Sequence, residues 1–174
     1  SVLDIVTDDM PFLVDSVTQA IYRNNLTIHH IMHPLLGIAR DAQGALVKTS
    51  ERGSAGSQTE SWIHIEFDRI SDPALVDALR QDVEAVLADV RAAVEDAAPM
   101  RERIQDAITS LAGNTEHPEI AEFLNWIADG NFVFLGYAHY TAAAGASELK
   151  REATGGYGLL RRNDHPRFGH CLAD

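Results

Sequence analysis

Residues 2–17, VLDIVTDDMPFLVDSV, decide the fold. Val2 to Thr7 alternate around Leu3 and Ile5 and end in Asp8-Asp9, the pattern of a short strand running directly into a helix cap. Asp9 is placed to accept from the free amides of a first helical turn, and Pro11 has no amide to leave unpaired there. Leu13, Val14, Val17 and Ile21 then form a helical stripe that stops at Asn24-Asn25.

Working outward, a second strand begins at Leu26 and runs through Ile28, Ile31 and Leu36 to Arg40. It turns at Asp41-Ala42-Gln43-Gly44 and returns briefly as Ala45 to Lys48. Residues 49–60, TSERGSAGSQTE, are small and polar and read as a mobile loop. Ser61 to Asp68 is the cleanest strand, with Ile63, Ile65 and Phe67 on one face and Trp62, His64 and Glu66 on the other. Asp72 and Pro73 open a long helix whose stripe is Leu75, Leu79, Val83, Leu87, Val90 and Val94, stopping or kinking at Pro99. A further stripe (Ile104, Ile108, Leu111) ends at Gly113-Asn114, and another helix runs from Pro118 to Gly130. The remaining expected strands are Phe132 to Tyr140, Glu148 to Glu152 and Tyr157 to Arg162, with Gly155-Gly156-Tyr157-Gly158 as a hairpin turn.

Strand, helix, strand, strand, helix, with Phe132 to Tyr140 as a candidate closing strand, is the βαββαβ order of an α+β, ferredoxin-like sandwich. The expected organisation is a core at 1–98, a helical segment at 99–130 and a β extension at 131–174, which either closes the first sheet or starts a following domain.

The 174 residues carry 14 basic and 26 acidic side chains, a net charge of −12, and no basic cluster beyond Arg161-Arg162. Nucleic acid and anionic membrane surfaces are poor partners for such a chain. No apolar run approaches the roughly 18–20 residues of a membrane span. A single cysteine, Cys171, leaves no intramolecular disulfide or cysteine-based zinc site and fits a reducing compartment. Twelve arginines against two lysines, beside abundant alanine, point to a GC-rich bacterial source. The chain opens inside a strand-like run and closes without a helix stop, so a piece of something longer is expected.

His29, His30 and His33 invite a metal reading, but in a strand the outer pair stands about 13 Å apart. The alternative is ordinary strand alternation, with His29 and His33 on one sheet face and His30 and Met32 on the other. In the ferredoxin-like order, Asp4, Trp62, His64, Glu66, His29 and His33 then share the helix-free face. That face is too polar for a core and too aromatic for plain solvent, which makes Trp62, His64, His29 and His33 candidate interface residues toward another domain or subunit. Ser16 has no nucleophile elbow, and the GGYG run has neither the spacing nor the helix of a phosphate-binding loop. Asp8, Asp9, Met10 and Phe12 place acids and a helix N-terminus at the exit of the first strand, where an effector carboxylate is one reading and a well-capped helix the other.

The segments VTDDMPFLVDSVTQAIYRNNLTIHHIMHPLL, ESWIHIEFDRI and FLNWIADGNFVFLGYAHY resemble the N-terminal region of the large bacterial NAD-specific glutamate dehydrogenases. The resemblance implies an ACT-like domain upstream of the catalytic part of a cytoplasmic homo-oligomer that oxidises L-glutamate to 2-oxoglutarate and ammonium. NAD and the catalytic residues then belong to downstream domains of the same polypeptide, and no cofactor is expected on this piece. ACT domains carry a D-x-P-G-x-L turn between first strand and first helix. Asp9-Met10-Pro11-Phe12-Leu13 resembles it, with Phe12 in the glycine's place. The expected function is a non-catalytic regulatory or assembly region; the alternatives are an amino-acid-sensing module and a purely structural oligomerisation module.

Overall fold

The computed structural model describes residues 1–111, 118–142, 149–152 and 155–161, and the chain divides into two compact units, Ser1–Val90 and Arg91–Asp174. The α+β class is as the sequence predicts.

In the first unit, β1 (Val2–Asp8), β2 (Ile28–Met32), β3 (Leu35–Arg40), β4 (Leu46–Ser50) and β5 (Gln58–Phe67) form one antiparallel sheet. β5 is its spine: β1 lies along one edge, β2 and β3 follow each other along the other, and β4 pairs outside β3. The expected second strand is therefore two strands. Pro34 explains the break, because it lacks an N–H for the ladder, while its carbonyl still accepts from Trp62 N–H at 3.1 Å.

Ile5, Ile63, Ile65 and Phe67 are buried on one sheet face. The helix α1 (Leu13–Arg23) buries Leu13, Val17, Ala20 and Ile21, and α2 (Pro73–Glu95) buries Leu79, Val83, Val86 and Val90, a stripe at the helical repeat. Asn25 ends α1 at φ 56°, and the Asn24 amide side chain donates to the Ala20 carbonyl at 2.9 Å. Arg23 and Asn24 both donate to the Asp82 carboxylate, so this acid of α2 ties the two helices together and is more than a solvated charge.

Asp9 does not cap α1. Phe12 is the N-cap, at φ 71° and ψ 0°, and no side chain caps the helix, which starts two residues later than Pro11 suggests. This is the left-handed backbone that glycine enters freely and an L side chain enters at a cost of roughly 1–2 kcal/mol. Phe12 thus adopts a conformation that glycine reaches without strain.

In the second unit, α3 (Ala97–Leu111) follows a one-residue break at Asp96, with Pro99 accommodated in its first turn, where no intrahelical donor is needed. α4 (Pro118–Trp126) continues into a π-type turn over Ile127–Asn131, where Gly130 at φ 86° ends the helix. Phe132 to Tyr140 does not close the first sheet. Only β6 (Gly136–Tyr137) and β7 (Tyr140–Ala142) form within and just beyond it, pairing with β9 (Tyr157–Gly158) and β8 (Leu149–Arg151) respectively. Since β8 and β9 belong to different pairs, the GGYG run is no hairpin turn between them; its last two residues are β9. The expected strand also stops early, in a turn at Leu159-Leu160. The predicted stop at Gly113-Asn114 and Cys171 lie outside the described residues.

Asp96, at the break between α2 and α3, accepts from the Gly158 amide at 2.6 Å and from the Arg161 guanidinium at 2.5 and 2.8 Å. Arg161 also reaches Glu95 at 3.0 Å. Arg161 thereby holds the Asp96 carboxyl below the usual carboxylate range, although partial burial opposes this.

Candidate functional site

β1 ends where the β5 ladder carries on for one more bond, from Asp9 N–H to the Thr59 carbonyl at 3.0 Å. This pins the Asp9 side chain above the start of the helix-facing side of β5. Its Oδ1 accepts from the Ser61 hydroxyl at 2.9 Å, and Ser61 Oγ lies 3.0 Å from His33 Nε2. Ser61 is fully buried. Its one hydroxyl proton goes to Asp9, so the imidazole must be the donor at Nε2, giving a directional relay from His33 through Ser61 to Asp9. This order is the reverse of a nucleophilic serine, whose proton has to go to the imidazole. Arg52, from the loop between β4 and β5, stands 3.6 Å from Asp9 Oδ2. That loop packs closely on β3 because residue 37 is glycine: a Cβ there would meet the Glu51 carbonyl and lie 2.6 Å from Ser50 Oγ and 2.8 Å from Ser57 Oγ. Asp8 and Met10 adjoin Asp9 in sequence, and Phe12, at the start of α1, is 42% exposed.

The opposite, open sheet face is a separate surface. Register places Asp4 and Met32 on either side of His64, Val2 and His30 on either side of Glu66, and Val6 beside Trp62. His64 Nδ1 is 2.6 Å from Asp4 Oδ1, and its Nε2 is 3.6 Å from Glu66 Oε1. A neutral imidazole would turn a lone pair toward one of these carboxylates, so the geometry favours the imidazolium. The hydrogen bond to Asp4 raises the His64 pKa first, with Glu66 adding to it against some desolvation. Nearby, Glu60 accepts two bonds from Arg40, at 2.6 and 2.8 Å, and one from Trp62 Nε1 at 3.1 Å. The Arg40 bonds hold the Glu60 carboxyl below its ordinary range despite burial.

His29 and His33 do not join this face. The register of β2 shifts between Ile28 and His30, so His30 and Met32 take the face assigned to their neighbours. His29, at the bulge, instead meets Asp68 at 2.9 Å. Asp68 also accepts from the Thr27 amide at 2.8 Å, and that backbone bond is the main reason its carboxyl lies below the usual range. Of the sequence-predicted residues, the structure thus joins Trp62 and His64 with Asp4 and Glu66, and joins Asp9 with His33. Arg52, Ser61 and Glu60 went unforeseen; the signals were a serine at a core-face position of β5 and an arginine in an otherwise small, polar loop.

Among the described residues, no three of His, Cys, Asp and Glu converge as a metal site, and no helix is long and apolar enough to cross a membrane. The glycine-rich run is tightly packed. A Cβ on Gly156 would run into the Leu160 carbonyl, and one on Gly158 into the Leu135 carbonyl, so both glycines are packed against the chain's own backbone.

Residues 1–83 match the family described as glutamate dehydrogenase, ACT1 domain. The chain is 36% identical over 175 aligned residues to the NAD-specific glutamate dehydrogenase of Halomonas elongata, across 94% of this chain and 11% of that protein. It is 32% identical to the protein of the same name from Pseudomonas aeruginosa (81% and 9%) and 26% identical to that from Mycobacterium tuberculosis (91% and 10%). Residues 1–83 belong to the glutamate dehydrogenase ACT1 domain family, and the chain as a whole is similar to part of the NAD-specific glutamate dehydrogenases. It spans about a tenth of the length of these relatives, and the likeness to the first and third runs through both compact units. The family's ACT1 domain ends inside α2, so its match contains the whole five-stranded sheet, the relay at Asp9 and the open face with Trp62 and His64.

Proposed function

We propose that this chain is the N-terminal regulatory or assembly region of a polypeptide that oxidises L-glutamate to 2-oxoglutarate and ammonium with NAD, and that it performs no chemistry itself. The observation that carries this reading is the ACT1 match over residues 1–83 together with the continuous likeness to proteins about ten times longer. The parent enzyme is cytoplasmic and homo-oligomeric in this reading, with NAD held by downstream domains.

In this reading the ACT-like, ferredoxin-like core is a βαββα unit whose second strand is split into β2 and β3 and which gains β4 as an edge strand, with no sixth strand in the sheet among the described residues. The open face, with Trp62 half-buried beside the exposed Val6 and His64 beside the exposed Met32, is the assembly surface. Trp62→Ala in the full-length polypeptide is expected to reduce oligomer size or loosen domain contacts in light scattering, with glutamate turnover falling in step. Unchanged size and turnover would overturn the assembly role.

One observation favours a second reading, an amino-acid-sensing site: Phe12 holds the glycine-like backbone of the ACT turn beside Asp9. Calorimetry with a panel of amino acids tests it. Heat lost on Asp9→Ala and strengthened on Phe12→Gly, which clears the approach to the backbone, supports sensing; silence from both the native protein and Phe12→Gly overturns it.

A further inference from the structure

The second compact unit carries an apolar surface that no described residue covers. α4, PEIAEFLNW, has no buried residue, although Ile120, Phe123 and Trp126 lie on it at three-residue spacing. Phe123 stacks on Trp126 at 6.2 Å between ring centroids, and Trp126 meets Phe132 edge-on at 6.1 Å. All three rings are 50–57% exposed, a large apolar area to leave in water. Directly after Phe132 the chain lines an open apolar hollow of about 300 Å³, formed by residues 133–136 with Leu159 and Leu160. Aromatic ridge and hollow adjoin in sequence, the lining of the hollow beginning at the residue after Phe132.

We propose that this ridge and hollow dock a segment of the same polypeptide from outside the 174 residues: an apolar segment flanked by arginine or lysine, which seats an aliphatic or aromatic side chain in the hollow. This rests on the reading that the chain is part of a longer protein. Two observations select the occupant. Relatives matched along almost the whole of this chain are about ten times its length, so most of such a polypeptide lies outside it. The exposed acids Glu119, Glu122 and Asp129 lie in the same stretch of chain, and α4 carries no basic residue. A second copy would bring acid against acid, in a chain already at −12, whereas a basic-flanked segment meets them with opposite charge.

The test places the photo-crosslinking residue benzoylphenylalanine at Phe123 in the full-length polypeptide, with Arg80 as an exposed control position. After irradiation, the mass of the product and its peptide map identify the partner. The expected result is a crosslink at 123 within a single chain, to a peptide outside the 174 residues and independent of protein concentration, with none at position 80. A product of doubled mass overturns the proposal in favour of a second copy, and a crosslink inside the 174 residues, or none at all, overturns it outright. Glutamate turnover of the same sample separates the two readings. Turnover without the internal crosslink defeats the docking proposal alone, and the crosslink without turnover defeats the dehydrogenase reading alone.

Discussion

Ser61→Ala removes the single atom that connects β5 to both β1 and the β2–β3 junction on the helix side of the sheet. Two hydrogen bonds go, at 2.9 Å to Asp9 and 3.0 Å from His33. The first has an ionised acceptor, a class worth about 1.5–3 kcal/mol, and the second is a neutral bond worth about 1 kcal/mol. Asp9 and His33 are reached by solvent, so both recover part of this from water, and Ser61 itself, fully buried, leaves only a small void. The net expectation is a loss of about 2 kcal/mol. For a unit of about 90 residues, where each kcal/mol moves the midpoint by roughly 4–8 °C, this lowers the melting temperature by roughly 8–16 °C. Thermal denaturation followed by circular dichroism reads the shift. A double-mutant cycle with Asp9→Asn identifies its origin, because two members of one relay are non-additive. A shift below about 2 °C, or strict additivity with Asp9→Asn, would refute the relay.

Three further outcomes follow from the same geometry. The raised pKa of His64 makes its ion pairs a stabilising contribution that is complete below about pH 6.5 and lost as pH rises through the folded-state value, so His64→Gln should flatten the alkaline decline in melting temperature between pH 6 and 9; Glu60, Asp68 and Asp96, all lowered, withdraw theirs only as pH falls toward 4 and below. Asp96→Asn should speed amide exchange at Gly158 by roughly tenfold, the loss expected for one charge-assisted bond, with the sheet of the first unit unaffected. Gly37→Ala should push the 51–57 loop off β3 and separate Arg52 from Asp9, which a spin label on the loop would register as increased mobility.

What the sequence made legible was periodicity. The alternation in ESWIHIEF fixed the two faces of β5, and Leu79, Val83 and Val90 of the expected stripe mark the inward side of α2, where Val86 is buried in place of Leu87. What escaped it were events that change parity or borrow a partner from far along the chain. One extra residue between Ile28 and His30 reversed the sides of three histidines, and no composition rule marks a bulge. Pro34 was visible but read as part of a continuous strand, because proline breaks only the ladder bond and not the direction of the chain. Asp9 had every local mark of a helix cap; Ser61, 52 positions away, offered it a buried donor instead, and the helix began on a left-handed phenylalanine. The closing strand failed for a related reason. Phe132 to Tyr140 has strand-like residues, but its partners lie at 149–151 and 157–158, within its own unit.

The position of β5 has a consequence during synthesis. β1 and β2 pair with nothing in the sheet except β5, and β1 waits longest, since Val2 meets Glu66 and Asp8 meets Glu60. At roughly 5–20 residues per second, the stretch from Asp8 to Gln58 takes the ribosome roughly 3–10 s. Through that interval only the β3–β4 hairpin can pair, and the apolar residues of α1, β1 and β2 lack the strand on which they assemble. The sheet of the first unit is therefore completed only once residues 58–67 emerge, with α2 still to follow, and the nascent chain's exposure to chaperones, and to pairing with a neighbouring nascent chain, lasts at least until the arrival of that one ten-residue strand.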